Sequence, residues 1–334
     1  MTAADAVAAL LWLSLTAYAV LAGADFGGGV WDIFASGARK QEQRRAVARA
    51  MGPVWEANHV WLIFMITGLF TAFPIAFGTL GIALFIPMTI ALIGIVLRGA
   101  AFAFRAHGRE AVGPLSPWGV VFGGSSIIAP FFLGTAAAAV ASGAIHVAGG
   151  NVVSEFGAGW TTLFAIVVGL LAVALCAYLA AVYLMVETED DPNLQSDFRM
   201  RAIVASAASG ALAILGLLLA YSEAPRVWTD LTGNGLLLLI VALINGPIAL
   251  WGVWRLRPRV ARIAVAAQVV FVLWGWAVGQ WPYLVPPDLT IVNAAAPDAT
   301  LRAWLVVIAL GMLLVIPSLA VLFRVFKAQN PAAG

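Results

Sequence analysis

The chain has 334 residues, of which 63% are hydrophobic and 10% are charged, with a formal net charge of +2. Soluble domains are about half apolar and about a quarter charged, so this composition excludes a soluble globular protein and places the chain in lipid. No basic arm of the kind that binds nucleic acid is present, and a single cysteine excludes an internal disulfide and a cysteine-based metal site.

Nine apolar runs are each long enough to cross a bilayer, which takes about 20 residues. They are too long for strands and show no alternation of apolar and polar residues, so they predict helices. The chain, residues 1–334, is therefore predicted to be a single integral membrane domain, an all-α bundle of about nine transmembrane helices. In chain order the predicted spans are residues 6–34, 54–73, 77–104, 118–142, 160–186, 202–221, 235–255, 263–281 and 303–326.

Basic residues fix the predicted orientation of these spans. With the N-terminus outside, 15 of the 18 Lys and Arg residues fall in cytoplasmic segments, whereas only Arg226 and Arg302 fall outside. The positive-inside rule thus predicts an external N-terminus and a cytoplasmic C-terminus. The first run follows "MTAAD", which carries an acid and no basic residue, so we interpret it as an uncleaved span and not as a signal peptide.

The first span ends in "LAGADFGGGVWD", which places Asp25 inside an apolar helix among four glycines. Gly23 and Gly27 form a G-x-x-x-G step, and Gly28 and Gly29 lie beside it. Small residues at this spacing let a second helix approach closely. The glycines are therefore predicted to serve helix packing and need no ligand.

Two further ionisable groups follow in the second span, which begins "GPVWEANHVWLIF". Glu56 lies at its start and His59 one turn deeper, with Trp55, Asn58 and Trp61 as neighbours. A lone histidine beside an asparagine is more often a hydrogen-bonded core residue than a metal ligand, and no two histidines have the spacing of a metal pair. The chain is therefore predicted to ligate no metal and no redox cofactor.

The third span contributes Arg98, with Arg105 seven residues further on. An ionisable side chain at the centre of a membrane helix costs about 2.5–3.5 kcal/mol on insertion scales, so such groups face the bundle interior and find partners. The predicted orientation puts Asp25, Glu56, His59 and Arg98 in one layer near the cytoplasm. This layer is either a proton path through the acids or a buried ion pair of an acid with Arg98 that fixes helix packing.

Four stretches, taken in order, resemble subunit II of the cytochrome bd-type quinol oxidases. They are "ADFGGGVWD", "GPVWEANHVWLI", "LRGAAFAFR" and "WPYLVPPDLTIVNAAAP", and with the nine spans the resemblance covers essentially the whole chain. It implies a multi-pass protein of a bacterial or archaeal cytoplasmic membrane. It also implies that the chain is a subunit of a quinol oxidase and that this subunit itself ligates no haem.

The same resemblance implies partners and roles. Haem b and haem d, or a second haem b in its place, and the site of quinol oxidation would belong to subunit I. This chain would supply a proton path from the cytoplasm and an apolar route for oxygen. A bound quinone or lipid and small single-helix subunits are left open as further components. The residues that match the family's motifs are Asp25, Trp55, Glu56, Asn58, Trp61, Arg98 and Arg105.

At two positions this chain departs from the family's pattern and has fewer acidic residues for proton transfer. Many relatives carry a second acid where this chain has Ala22, and an acid between the two arginines where it has Ala103. Proton transfer would then fall more heavily on Glu56 or enter from the partner subunit. Two alternatives remain: a secondary transporter or ion channel that uses Asp25 and Glu56 as coupling-ion sites, and a purely scaffolding subunit.

Overall fold

The structure is a computed structural model that describes residues 2–51, 55–107 and 117–328. Within these ranges the side chains of 55–57, 106–107, 319–320 and 322–328 lie outside the description. The described helices are α1 Ala3–Ile33, α2 Lys40–Met51, α3 Trp55–Ala72, α4 Pro74–Ala83, α5 Phe85–His107, α6 Pro117–Ser142, α7 Leu163–Glu187, α8 Pro192–Glu223, α9 Pro225–Thr232, α10 Leu236–Trp254, α11 Pro258–Gln280 and α12 Asp298–Ala328. The described strands are β1 Val147–Ala148, β2 Asn151–Val152, β3 Tyr283–Val285 and β4 Leu289–Thr290.

The helices confirm the predicted all-α membrane fold. Among the described residues, eight helices are long and apolar enough to cross a bilayer. A ninth crossing is offered by α3 and α4, which pass the same test only as a pair. This agrees with the prediction of about nine spans. No membrane accompanies the chain, so the orientation of its termini stays a prediction.

The predicted start of the third span is wrong. Residues 77–83 belong to the short helix α4, which is bent by 116° from α3, and the spanning helix α5 begins at Phe85. The break lies at Pro74, the first residue of α4, which follows Phe73 with φ −135° and ψ 60°. Proline has no backbone N–H to donate, and the residue before it is driven out of the helical region. Hydropathy does not register this break because α4 is as apolar as its neighbours.

Helix α1 lies at the centre of the bundle. It packs against α3, α6 and α7, and the largest buried apolar cluster includes Val30 of α1, Phe122 of α6 and Leu179 of α7. The N-terminus of α1 is closed by a capping box, in which the Thr2 hydroxyl accepts from the Asp5 backbone N–H at 3.2 Å and the Asp5 carboxylate accepts from the Thr2 backbone N–H at 2.8 Å.

One end of the bundle, which we call the basic end, carries Arg39, Arg44, Arg105, Arg201 and Arg259. There the Arg39 guanidinium donates to both oxygens of Asp197 at 2.5 and 2.9 Å, and Asp197 also accepts from Gln43 at 2.8 Å. The carboxylate of Asp197 raises the pKa of Arg39 above its ordinary value. These bonds tie α2 and the turn before it to the start of α8, a connection that hydropathy did not predict.

The opposite end, which we call the hairpin end, carries two short antiparallel ribbons, β1–β2 and β3–β4. The Asp288 carboxylate accepts from the Val147 backbone N–H at 2.8 Å and lies 3.5 Å from Nδ1 of His146, so the two ribbons are joined. The Arg226 guanidinium carbon lies 4.4 Å from the centre of the Tyr283 ring. The loops between the spans are therefore folded and held together at this end.

Candidate functional site

A buried polar site lies where α1, α3, α5 and α6 meet. Its central acid is Asp25 of α1, which is 4% exposed. The side-chain amide of Asn58, on α3, donates to the Asp25 carboxylate and, at 3.4 Å, to the backbone carbonyl of Leu21. Asn58 is itself 6% exposed. Helix α3 is thus fixed to α1 through Asp25, the acid that the sequence singled out.

The site's cation is Arg98 of α5, which is 2% exposed. Its Nε donates to Oγ of Ser126 on α6 at 3.1 Å, and that hydroxyl donates to the carbonyl of Phe122 at 2.7 Å. The guanidinium carbon lies 5.0 Å from the ring centre of Phe26 and 5.3 Å from that of Phe122. A desolvated guanidinium between two aromatic faces gains about 2 kcal/mol from cation–π attraction.

Asp25 and Arg98 carry opposite charges in the same buried region but form no direct contact. Among the described side chains, no nitrogen of Arg98 lies within 4.0 Å of a carboxylate oxygen. Nη2 of Arg98 is buried and has no hydrogen-bond partner in the described part of the chain. The acid and the cation thus share one interior site while each is held by its own neutral partner.

A salt bridge between α5 and α1 lies two turns further toward the basic end. Arg105 of α5 donates from Nη1 and Nη2 to the two oxygens of Asp32 on α1, at 2.9 and 3.1 Å. The side chains are 17% and 2% exposed. The Arg105 guanidinium carbon lies 5.1 Å from the centre of the Phe122 ring, the same ring that Arg98 contacts. Sequence reasoning named Arg105 but missed Asp32 as its partner.

The signal for that partner was present in the spacing. Asp32 follows Asp25 by seven residues and Arg105 follows Arg98 by seven. Seven residues are close to two helical turns, so each helix presents both of its charges on one face. Ser126 gave no comparable signal, because a serine in an apolar helix is common.

The glycines of α1 lie where other helices come closest. A Cβ added at Gly27 would lie 1.8 Å from the backbone carbonyl oxygen of Cys176, on α7. One added at Gly23 would lie 3.2 Å from Leu179 and 3.6 Å from the Cys176 sulfur. These distances fit the interpretation of both glycines as packing residues against α7.

Gly28 and Gly29 face other neighbours. A Cβ at Gly28 would lie 2.6 Å from Sδ of Met51, and one at Gly29 would lie 2.0 Å from Oγ of Ser126. Gly29 therefore leaves the space in which Ser126 holds the buried guanidinium. The run of glycines serves α2 and α6 as well as α7.

The remaining residues singled out from the sequence lie on α3. The His59 ring makes edge contacts with Tyr18 and Phe26, with ring centres 6.1 and 6.5 Å apart. Trp55 and Glu56 stand at the start of α3, but their side chains lie outside the described residues. The structure therefore places His59 beside the buried site and leaves the position of the Glu56 carboxyl undescribed.

Trp61 helps to fix α3 against α1. Its side chain is partly buried against the cluster around Tyr18 and Phe26. Its backbone carbonyl accepts from the Ser14 hydroxyl of α1 at 2.6 Å. Together with Asn58, it holds the two helices in a fixed register.

The described side chains that could ligate a metal are not gathered in one place. No group of three or more His, Cys, Asp or Glu side chains is placed to hold a metal ion within the described ranges. The His59 ring is in contact with two aromatic rings of its own chain, and His146 lies beside Asp288 among the exposed ribbons. His107 ends α5 with its side chain outside the description.

Comparison with known proteins gives a family match along nearly the whole chain. The family described as "Cytochrome bd terminal oxidase subunit II" matches residues 3–326. A Bacillus subtilis (strain 168) protein provisionally named cytochrome bd menaquinol oxidase subunit II is 22% identical over an alignment of length 333, which covers 96% of this chain and 94% of the relative. A second protein of that strain, cytochrome bd ubiquinol oxidase subunit 2, is 36% identical over an alignment of length 132, which covers 37% of this chain and 37% of the relative.

The fold has a solved counterpart. One chain of the bd oxidase from Geobacillus thermodenitrificans superposes with a TM-score of 0.81 and 25% sequence identity, covering 98% of this chain and 99% of that one. The similarity therefore extends over the complete bundle and is not confined to the glycine-rich motif.

Proposed function

The chain belongs to the cytochrome bd terminal oxidase subunit II family, and from that membership we propose that it conducts protons from the basic end of the bundle toward the haem-bearing subunit of a quinol oxidase. It is a multi-pass protein of the bacterial cytoplasmic membrane and a subunit of a respiratory oxidoreductase. The transporter or ion-channel alternative is set aside by this membership.

The haems of the complex, haem b with haem d or a second haem b, are assigned in this proposal to the partner, subunit I. The assignment rests on the resemblance, and it is supported by the contacts of His59 with the Tyr18 and Phe26 rings and of His146 with Asp288. Quinol would be oxidised and dioxygen reduced to water on the partner. In the membrane-spanning part of helix α12, Asp298–Ser318, only 6% of the residues of its apolar stretch are buried. The helix therefore leaves an apolar surface for lipid, a quinone or a small single-helix subunit.

The observation that carries the proposal is the buried carboxyl of Asp25, which forms no salt bridge with any described side chain. Keeping an acid inside a membrane bundle is costly, and such acids commonly mark proton paths. Asn58 donates a hydrogen bond to it, and the oppositely charged Arg98 lies against the neighbouring Phe26 ring without forming a salt bridge to the carboxyl. A full ion pair would lock the charge, whereas this arrangement leaves the carboxyl free to bind and release a proton.

Glu56 and His59 complete the proposed entry. They stand three residues apart at the start of α3, so they lie on one face of that helix. Glu56 would take protons up at the basic end, and His59 and Asp25 would pass them inward. The Asp32–Arg105 pair, which closes α1 against α5 at that end, has a structural role in this proposal.

The test is the variant Asp25→Asn in the intact oxidase complex. Asparagine keeps the shape and the hydrogen bond but cannot carry a proton. We expect normal haem content and normal assembly, with oxygen-consuming turnover lowered by roughly 10²-fold, the lower end of what a positioned proton-transfer group contributes. Glu56→Gln should slow turnover in the same way. Asp190→Asn, which removes an exposed acid from the α7–α8 turn, is the matched control and should leave turnover unchanged.

Two outcomes would overturn the proposal. Full turnover of Asp25→Asn with intact haems would show that no proton passes through this carboxyl. Loss of the partner subunit or of its haems, with turnover per remaining haem unchanged, would favour the scaffolding alternative.

A further inference from the structure

Polar side chains recur at a fixed interval along one face of α1. Asp32, Asp25 and Tyr18 are separated by seven residues each. Since seven residues fall close to two turns, these groups form a line with steps of about 10 Å along the helix axis. The line begins at the Asp32–Arg105 pair of the basic end and reaches Tyr18 well inside the span.

Tyr18 is an unusual end for such a line. It is 5% exposed, and its hydroxyl is buried without a hydrogen-bond partner among the described residues. Nη2 of Arg98 is in the same condition. Buried polar groups in native proteins are almost always hydrogen-bonded, and one left unpaired costs free energy. Two such atoms in one region therefore indicate that they share something to bind.

The two atoms border one buried cluster. Tyr18 belongs to the same cluster as Phe26 and Cys176. The Arg98 guanidinium carbon lies 5.0 Å from the centre of the Phe26 ring. The guanidinium therefore lies against the cluster that contains the phenol, beside Phe26, the chain neighbour of the acid Asp25.

We propose that Tyr18 is the next proton-conducting residue after Asp25, joined to it through internal water held by Nη2 of Arg98. This inference rests on the proposed proton path and extends it by one step. The distance of two helical turns is too long for a direct hydrogen bond between the two side chains, so water is the connecting group.

The chemistry of the step is balanced within the residues named. A hydroxyl is both donor and acceptor. A proton from the Asp25 carboxyl moves through the water onto a lone pair of the Tyr18 oxygen while the original phenolic hydrogen passes to a second internal water on the far side. The phenol stays neutral, and its hydroxyl rotates back before the next passage. Arg98 has only donors, so it keeps its charge and orients the water without carrying the proton.

The experiment compares two tyrosines of the same kind in the intact complex. Tyr18→Phe removes only the hydroxyl. Tyr178→Phe is the matched control, because Tyr178 is 2% exposed and also has an unpartnered hydroxyl. Its surroundings are apolar, because it belongs to the largest buried hydrophobic cluster, with Ala177 and Leu179 beside it on α7. The measurements are the rate of proton uptake after an oxygen pulse, turnover in H₂O and D₂O, the haem spectrum and the midpoint of thermal unfolding.

We expect Tyr18→Phe to slow proton uptake by about ten-fold or more, with a larger solvent isotope effect and an unchanged haem spectrum. The control variant should match the wild type in all three. The unfolding midpoint should fall for Tyr18→Phe, because a water-bonded hydroxyl stabilises the fold, and should stay equal or rise for Tyr178→Phe.

Equal uptake rates and equal midpoints for the two phenylalanine variants would overturn the inference, since Tyr18 would then be only a packed ring. The failure of this step is distinguishable from the failure of the path itself. If Asp25→Asn blocks uptake and Tyr18→Phe does not, the path stands without Tyr18. If Asp25→Asn is harmless, the path and its extension both fail.

Discussion

Replacing Gly27 with alanine should force α1 away from α7. The added Cβ would lie 1.8 Å from the Cys176 carbonyl oxygen, 2.4 Å from its carbonyl carbon and 2.7 Å from Cβ of Ala180. Side-chain Cβ atoms essentially never approach another heavy atom within 3.0 Å, so the closest contact is 1.2 Å too short. The obstacle is backbone of a neighbouring helix and cannot rotate away. One of the helices has to move.

The expected magnitude follows from this geometry. Overpacking a close-packed interior costs about 1–3 kcal/mol, and more where the neighbours cannot yield. A rigid backbone obstacle places Gly27→Ala at or above about 3 kcal/mol. Since Asp25 lies two residues away on the same helix, the displacement should also weaken its hydrogen bond with Asn58 and lower turnover.

The assay is the thermal unfolding midpoint of the purified complex, followed by tryptophan fluorescence at one fixed heating rate, because unfolding of membrane complexes is often irreversible. Gly124→Ala is the control, since a Cβ at Gly124 of α6 meets no heavy atom within 4 Å. It should change stability by less than about 0.5 kcal/mol. If both variants unfold at the same temperature, the close approach of α1 and α7 described here is wrong.

Two further predictions concern charged groups outside the proton path. Arg105→Leu leaves the Asp32 carboxylate, which is 2% exposed, without its partner and should destabilise the complex by about 3–5 kcal/mol. Adding Asp32→Leu to this variant should recover part of the lost stability. Equal thermal unfolding midpoints for the single and double variants would contradict the pairing. Burial raises the pKa of Asp230 above its ordinary value of 3.8, against the opposing charge of Arg226. The folded state therefore holds this proton more tightly than the unfolded state, and the stability linked to it is present at low pH and lost as the pH rises through the folded-state pKa. The unfolding midpoint of the wild type should fall relative to that of Asp230→Asn as the pH rises above 3.8, and a constant difference would count against the shift.

The family and the membrane fold were predictable because their signals are strong and local. Long apolar runs, the asymmetry of basic residues and four ordered motifs all follow from single stretches of sequence. The break at Pro74 was missed for the same reason: hydropathy averages over a window, whereas a chain reversal depends on one residue's backbone. The short ribbons at the hairpin end were missed because each strand has only two or three residues, and the bond that joins the two ribbons links residues 141 positions apart.

The site was predictable in its members and not in its contacts. Asp25, Asn58 and Arg98 stood out because polar side chains are rare in apolar helices. Their partners did not follow from that rarity: Arg98 is held by Ser126, and Arg105 pairs with Asp32. The sequence left open an ion pair of Asp25 or Glu56 with Arg98. In the structure Asn58 donates to the Asp25 carboxylate and Ser126 accepts from Arg98, while the Glu56 side chain lies outside the described residues.

By itself, the sequence determined the solvent of this protein, the number of crossings to expect and the residues that do not belong in lipid, because each of these depends on the chemistry of one residue or one run. Only the tertiary structure decided which of those residues meet. Contacts between helices depend on their relative rotation and depth, and these are set by close packing at positions such as Gly27 and Gly29, where the absence of a side chain brings a neighbouring helix within reach.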